Sequence, residues 1–208
     1  MNEENRKLVM FDFDGVLVNT IDWSFDLHKE HNPLFTREKF NSFTLGNFLD
    51  GMEKAVKEDN HVVPSDWGAR YSENLLHLSI EDILRNSIIK ISGRYILAIV
   101  SSSSNQYIEE FINKEKISEC FSDISGANIH KSKVVKIKSL LDKYSIDPSN
   151  AVFITDTLGD VREANECGVS SIGVLWGQHD KATISKGNPA IIIENPQDLL
   201  EAVEDVLK

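Results

Sequence analysis

The chain has 208 residues, the size of one medium domain or of one domain carrying a smaller insertion. Hydrophobic residues make up 41% and charged residues 26%, an ordinary globular composition that excludes a disordered chain. A formal net charge of −11 without any basic stripe excludes the electrostatic footprint of a nucleic-acid binder and predicts repulsion from anionic membranes.

Two cysteines, Cys120 and Cys167, are too few for a disulfide framework and lack metal-ligand spacing. The start, MNEENRKLVMFDFDG, is polar and then apolar for only a few residues, unlike a signal peptide. Nowhere do about 18 apolar residues run together, as a membrane-spanning helix requires. These bounds predict a soluble, cytoplasmic chain in a reducing compartment, with neither nucleic acid nor membrane as partner; none of them sets an oligomeric state.

In chain order, the first apolar run is Leu8 to Phe13. From Val18 to Ile91 the pattern is helical (Trp23 to Lys29, Phe48 to Lys57, Trp67 to Leu78) with no convincing strand. Tyr95 to Val100 then reads as a strand and Asn105 to Lys116 as a helix with Ile108, Phe111 and Ile112 on one stripe. Lys133 to Tyr144 repeats that stripe with Val134, Ile137 and Leu141. Asp147 and Pro148 punctuate the way into a strand at Ala151 to Ile154. A helix from Asp160 to Cys167 is stopped by Gly168. Strands at Ser171 to Leu175 and Ala190 to Ile193 follow, and Pro196 opens a last helix running to Leu207. Ile- and Val-rich strands alternating with helices predict an α/β fold, a Rossmann-like parallel sheet flanked by helices. The segment 18–91 is too long for a simple crossover and reads as an inserted α-helical cap, leaving 1–17 and 92–208 as the core.

Ligands of such sheets sit beyond the carboxyl ends of the strands. There the first run ends in Asp12-Phe13-Asp14-Gly15, two acids that point to one side, with a glycine that permits a sharp turn. Taken alone, the pair is a strand cap. The run Val152 to Ile154 ends similarly, in Thr155-Asp156 with Asp160 four residues on, where Asp160 alone reads as a helix N-cap. If the two strands are neighbours, three or four carboxylates converge, and their repulsion calls for a hard cation such as Mg²⁺. Ser101 and Ser102 end another strand just before a helix, where hydroxyls and free N–H groups suit a phosphate or simply cap the helix. Lys131 and Lys133 bring ammonium groups to the opening of the next helix; Ile137, Leu140 and Leu141 follow Lys133 in helical phase and favour it.

In order and spacing, Asp12-Phe-Asp-Gly-Val-Leu, the strand ending in Ser101, a lysine at 131 or 133 and Asp156-x3-Asp160 resemble the haloacid dehalogenase-like (HAD) hydrolase superfamily. The resemblance covers nearly the whole chain, with the insertion where that family carries its C1-type helical cap. It implies a Mg²⁺-dependent phosphatase acting on a small phosphorylated metabolite. Asp12 would be the nucleophile and Asp14 the acid–base group. Asp156 would bind Mg²⁺ with Asp12 and the Phe13 carbonyl, supported by Asp160, so that the metal residues are drawn from Asp12, Asp14, Asp156 and Asp160. Ser101, with Ser102 beside it, and one lysine would bind the phosphate. The chain departs from the family pattern at Asn19-Thr20, at Thr155 in place of a glycine, and in lacking a proline after the lysine.

A phosphomutase acting on a sugar phosphate would keep the same catalytic set and differ in how its cap excludes water. A haloacid dehalogenase is disfavoured, because that branch lacks an acid at the position of Asp14. A non-catalytic phosphate-binding module is disfavoured because no core acid is lost. Specificity is expected in the cap, at Thr44, Asn47 and Arg70, each polar and near a helix boundary. Trp176-Gly177-Gln178-His179 reads as aromatic packing with a surface histidine at the pocket's edge.

Overall fold

Leu8–Phe11 form the first strand, β1, and all four residues are buried. A strand covered on both faces needs a helical layer on each, and its alternation of period two shows how the layers divide. Val9 and Phe11 pack with Leu97, Ile99, Val152 and Ile154 on one face, Leu8 and Met10 with Ala98, Val100 and Phe153 on the other.

The computed structural model describes residues 6–208. Residues 1–5, where the polar start and the first expected core segment begin, lie outside the described residues. The other strands are β2 (Ile96–Val100), β3 (Asp123–Ser125), β4 (Ala151–Thr155), β5 (Ser170–Val174) and β6 (Ile191–Ile193). All pair in parallel in the order β3-β2-β1-β4-β5-β6. The chain therefore winds outward from β1 on one side, then returns to wind outward on the other. The reversal falls between β1 and β4, and a crevice opens beyond their carboxyl ends.

Between β1 and β2 lie α1 (Ile21–His31), α2 (Arg37–Ser42), α3 (Phe48–Glu58), α4 (Trp67–His77) and α5 (Asp82–Ser92). Phe25, Phe35, Phe40, Phe43 and Ala55 give the first three helices a small aromatic core of their own. Further along are α6 (Asn105–Lys114), α7 (Lys133–Tyr144), α8 (Leu158–Glu166), α9 (Lys181–Ile184) and α10 (Leu199–Val206). One layer on the sheet holds α5, α6 and α10; the other holds α7 and α8. The segment 18–91 is thus helical as expected, but its last helix packs in the sheet layer through Leu84, Ile88 and Ile91. Helix α4 turns Tyr71 and Leu75 toward that same apolar cluster.

Helix α8 begins at Leu158, and the Thr157 hydroxyl caps it by accepting from the Asp160 N–H. Asp160 is therefore not the cap expected from its position; Thr157 takes that role and leaves the Asp160 carboxylate in the first turn for other partners. Among the described residues no helix is long and apolar enough to cross a membrane.

If α5 is part of the sheet's own core, Ile88→Ala should destabilise the whole protein by about 2–5 kcal/mol, as for a buried aliphatic side chain. Urea unfolding followed by circular dichroism measures this, and an unshifted midpoint would place α5 outside the cooperative unit.

Candidate active site

The β1–β4 pairing continues one residue past β1, where the Asp12 N–H donates to the Ile154 carbonyl at 2.9 Å. This fixes Asp12 beside the end of β4, where Thr155 and Asp156 follow. Gly15, at φ +77, turns the chain; a Cβ there would lie 2.0 Å from Asp156 Oδ2, so close approach as well as the backbone requires glycine. Gly177 leaves a similar gap on the other side, 2.3 Å from the Asp156 Cβ to where its own would stand.

Lys133, in the first turn of α7, is buried with its Nζ 2.9 Å from Asp12 Oδ2 and 2.6 Å from Asp160 Oδ2. The Thr155 hydroxyl also donates to Asp160 Oδ2, at 2.7 Å. Asp156 accepts at Oδ2 from the Gln178 N–H at 2.7 Å, while its Oδ1 is buried with no hydrogen-bond partner. Asp14 faces elsewhere. Its Oδ1 accepts from the Tyr71 hydroxyl at 2.5 Å and the Thr20 hydroxyl at 2.6 Å, and its Oδ2 from the Ser103 hydroxyl at 2.7 Å.

Burial raises Asp12 well above the ordinary carboxylate range; Lys133 pulls it down, and the charges of Asp160 and Asp156 push it further up. Burial likewise pushes Asp156 up to about 7, against the Gln178 N–H bond. Asp160 is also buried, yet Lys133 and the hydrogen bonds to its carboxylate hold it below the ordinary value. Burial works against the Lys133 ammonium, but Asp12 and Asp160 more than offset it and raise its pKa.

Of the three buried carboxylates, Asp12 and Asp160 thus share one contacting ammonium, and Asp156 is outside its direct contact. The unpartnered Asp156 Oδ1, in a cradle that glycines keep open, suits a hard divalent cation. The four acids do not gather around one point, however: among the described residues no three acidic, histidine or cysteine side chains surround a common centre. Asp14 is taken by three hydroxyls and Asp160 by Lys133 and Thr155, which leaves Asp12 and Asp156 as the pair that fits. Nor is the Phe13 carbonyl free for a metal, since it accepts from the N–H groups of Leu17 at 2.9 Å and Val18 at 3.2 Å within the turn.

The two candidate lysines lie apart, and only Lys133 touches the carboxylate cluster. Lys131 is exposed and pairs with Asp50 at 2.8 Å, away from the carboxylate cluster. Ser101 is fully buried, its hydroxyl accepting from the Ser103 N–H, whereas Ser102 and Ser103 line the cavity described below. Of the three expected cap residues only Thr44 lines that cavity. Asn47 caps α3 and ties it to Glu163 at 3.2 Å and to the Lys131 carbonyl at 3.1 Å. Arg70 makes a two-bond pair with Glu30 on the outer surface. His179 is buried, not exposed; its Nδ1 accepts from the Leu158 N–H, and its Nε2 meets Thr44 Oγ1 and the Asn41 carbonyl, both at 3.1 Å.

Sequence reasoning missed Tyr71, Thr20 and Ser103, the hydroxyls on Asp14, and Lys136, which donates to the Ser101 carbonyl at 2.6 Å. Burial lowers Lys136 to about 8. For Ser103 there was a signal, since it lies in the four-serine run two positions after Ser101. Above the carboxylates lies a cavity of about 340 Å³, walled on the sheet side by Asp12, Asp14, Lys133 and Asp160 and on the insert side by mostly apolar residues.

A family model described as haloacid dehalogenase-like hydrolase matches residues 9–174, and the chain belongs to that family. It is 22% identical over 210 residues to a phosphoglycolate phosphatase of Synechococcus elongatus, covering 96% of this chain and 98% of the relative. It is 24% identical over 222 residues to a phosphoglycolate phosphatase of Mannheimia succiniciproducens, covering 95% and 98%. Among solved structures, a predicted phosphatase from Clostridium acetobutylicum superposes with a TM-score of 0.79 at 17% identity, covering 96% of this chain and 99% of that one. A predicted phosphoglycolate phosphatase from Haemophilus somnus superposes with a TM-score of 0.74 at 21% identity, covering 95% and 98%.

Lys133→Met would strand buried carboxylates without their contacting cation, which should cost about 3–5 kcal/mol. Lys131→Ala removes only an exposed, solvent-screened pair and should leave stability nearly unchanged. Urea unfolding of the metal-free proteins compares them, and equal losses would contradict the assignment of Lys133.

Proposed function

We propose that the chain is a phosphatase that removes phosphate from a small phosphomonoester in two steps through Asp12. The observation that carries this reading is the opening of Asp12, Asp14 and Lys133 into one cavity, with Asp12 held by Lys133 at 2.9 Å. The relatives named as phosphatases support it.

An Asp12 carboxylate oxygen attacks phosphorus, and the bond from phosphorus to the ester oxygen breaks as the new bond forms. The departing alkoxide takes a proton from Asp14. A water oxygen then attacks phosphorus, its proton passes to Asp14, and the bond to Asp12 breaks, releasing phosphate and restoring both acids. A carboxylate nucleophile divides one difficult displacement into two easier ones. Lys133 keeps Asp12 in place and offers positive charge to the phosphoryl oxygens, with Ser102 and Ser103 at the cavity wall. The three hydroxyls on Asp14 fix its carboxylate between cap and core, where the leaving oxygen and the later water both need it. Mg²⁺ held by Asp12 and Asp156 would supply the charge that offsets these acids and the phosphate.

In this reading the inserted segment closes over the site as a cap, with α1 to α3 as its body. The free cysteines fit a reducing, cytoplasmic compartment.

Asp12→Asn should neither release product nor become labelled by substrate phosphate. Asp14→Asn should lower kcat by about 10²–10⁴. With p-nitrophenyl phosphate, whose leaving group hardly needs a proton, it should show a burst of one nitrophenolate per site before a slow steady state. Rapid-quench kinetics measures both; labelling of Asp12→Asn, or an unchanged rate for Asp14→Asn, would contradict these roles.

A further inference from the structure

Helix α7 carries two buried lysines one turn apart, and the proposed reaction uses only the first. Lys136 is fully buried, and its Nζ donates to the Ser101 carbonyl at 2.6 Å. Among the described residues that carbonyl is its one hydrogen-bond acceptor, and it makes no ion pair. Burial, with Lys133 beside it, lowers its pKa to about 8, while the charges of Asp12, Asp160 and Glu163 act the other way. The ammonium therefore keeps its proton at pH 7. An ammonium with one neutral acceptor is among the costliest groups to bury, and a well-packed apolar side chain would serve the fold as well. Stability gives no reason for a lysine here.

Its single contact supplies one. Ser101 follows β2 directly and starts the turn that leads into α6. Its N–H donates to the Ser125 carbonyl at 3.1 Å, its hydroxyl accepts from the Ser103 N–H at 2.9 Å, and its own carbonyl takes the Lys136 ammonium. Three polar groups of Ser101 are thereby fixed, although the residue is fully buried and does not line the cavity. The three serines after it do line the cavity, beside Asp12, Asp14 and Lys133. Ser103 carries the chain of contacts onward, its hydroxyl donating to Asp14 Oδ2 at 2.7 Å. Lys136 thus holds the foot of this turn, one helical turn away from the lysine that holds Asp12.

We propose that Lys136 is a positioning residue, which fixes the 101–104 turn through the Ser101 carbonyl so that Ser102 and Ser103 meet the phosphoryl group at a set distance from Asp12. The inference rests on the phosphatase reading and adds to it a residue that never touches substrate.

The test compares Lys136→Met, which loses both charge and donor, with Lys136→Gln, which keeps a donor without the charge. With Mg²⁺ present and p-nitrophenyl phosphate as substrate, kcat/KM of Lys136→Met should fall by about 10²-fold, the scale of a small misplacement around a reacting centre. Inorganic phosphate, titrated as an inhibitor, should bind about tenfold more weakly, the scale of one lost hydrogen bond. The amide resonances of Ser102 and Ser103 should shift, while the urea midpoint stays at or above that of the parent. Lys136→Gln should recover part of both losses. A Lys136→Met protein with the parent's kcat/KM or the parent's phosphate affinity would overturn the proposal. A lowered midpoint or a failure to fold would make Lys136 a residue of the fold and overturn it too, as would a Lys136→Gln protein no better than Lys136→Met. If the parent hydrolyses no ester, p-nitrophenyl phosphate included, the phosphatase reading falls. Phosphate binding followed by the Ser102 and Ser103 amide resonances then judges Lys136 alone. Weaker binding by Lys136→Met supports the proposal, and equal binding, or none by the parent, overturns it.

Discussion

A lysine ammonium withdrawn from water between two carboxylates is the interaction on which the rest of this structure depends. Lys133 retains only 4% of its surface and contacts both Asp12 and Asp160. Such an ion pair recovers its desolvation cost only when geometry is good and the remaining polar atoms are satisfied. The fold supplies that geometry from three directions. Adjacent strands β1 and β4 bring Asp12 to the end of β4, the first turn of α8 presents Asp160, and the first turn of α7 presents Lys133. Thr157 caps α8 and Thr155 donates to Asp160, so neither the helix end nor the carboxylate is left unsatisfied.

The same cluster is joined to the insert. Glu163 accepts from the Lys133 N–H at 2.9 Å and from the Asn47 side chain at 3.2 Å, so one carboxylate links the lysine helix to α3. Gly159 lets the insert backbone approach, its N–H donating to the Thr44 carbonyl at 2.8 Å, while a Cβ there would lie 2.0 Å from the Gly46 carbonyl oxygen. His179 fills the seam between Leu158, Thr44 and Asn41. On the opposite side Tyr71 reaches from α4 to Asp14. An insert tied at both edges to residues that hold Asp12 and Asp14 connects its own position to the position of those two acids. In the proposed reaction that connection would give the binding energy of the substrate's alcohol half a route to the acids below it.

Much of this was legible in the sequence. The buried strands betray themselves as short Ile- and Val-rich runs, and the acids at the ends of β1 and β4 need only strand adjacency to meet. The helical phase of Ile137, Leu140 and Leu141 points to Lys133 over Lys131, and burial of Lys133 agrees. Other features depend on packing that has no local signature. Strand β3 has three residues, and its pairing with β2 rather than any apolar run defines it. Helix α5 lies in the segment read as a helical cap, although its apolar stripe faces the sheet. The hydroxyls around Asp14 come from positions 20, 71 and 103, which only the folded chain brings together. His179 lies two residues after Gly177 and reads as surface, yet the insert covers it.

The central claim is that three buried carboxylates and one contacting ammonium are completed by a divalent cation at Asp156 and Asp12. Calorimetric titration of Mg²⁺ into the metal-free protein tests it most directly, beside an Asp156→Asn variant shown to be folded by circular dichroism. The account predicts saturable binding of one Mg²⁺ per chain in the parent protein and none in Asp156→Asn. Equal binding by both proteins, or no binding by the parent, would contradict it.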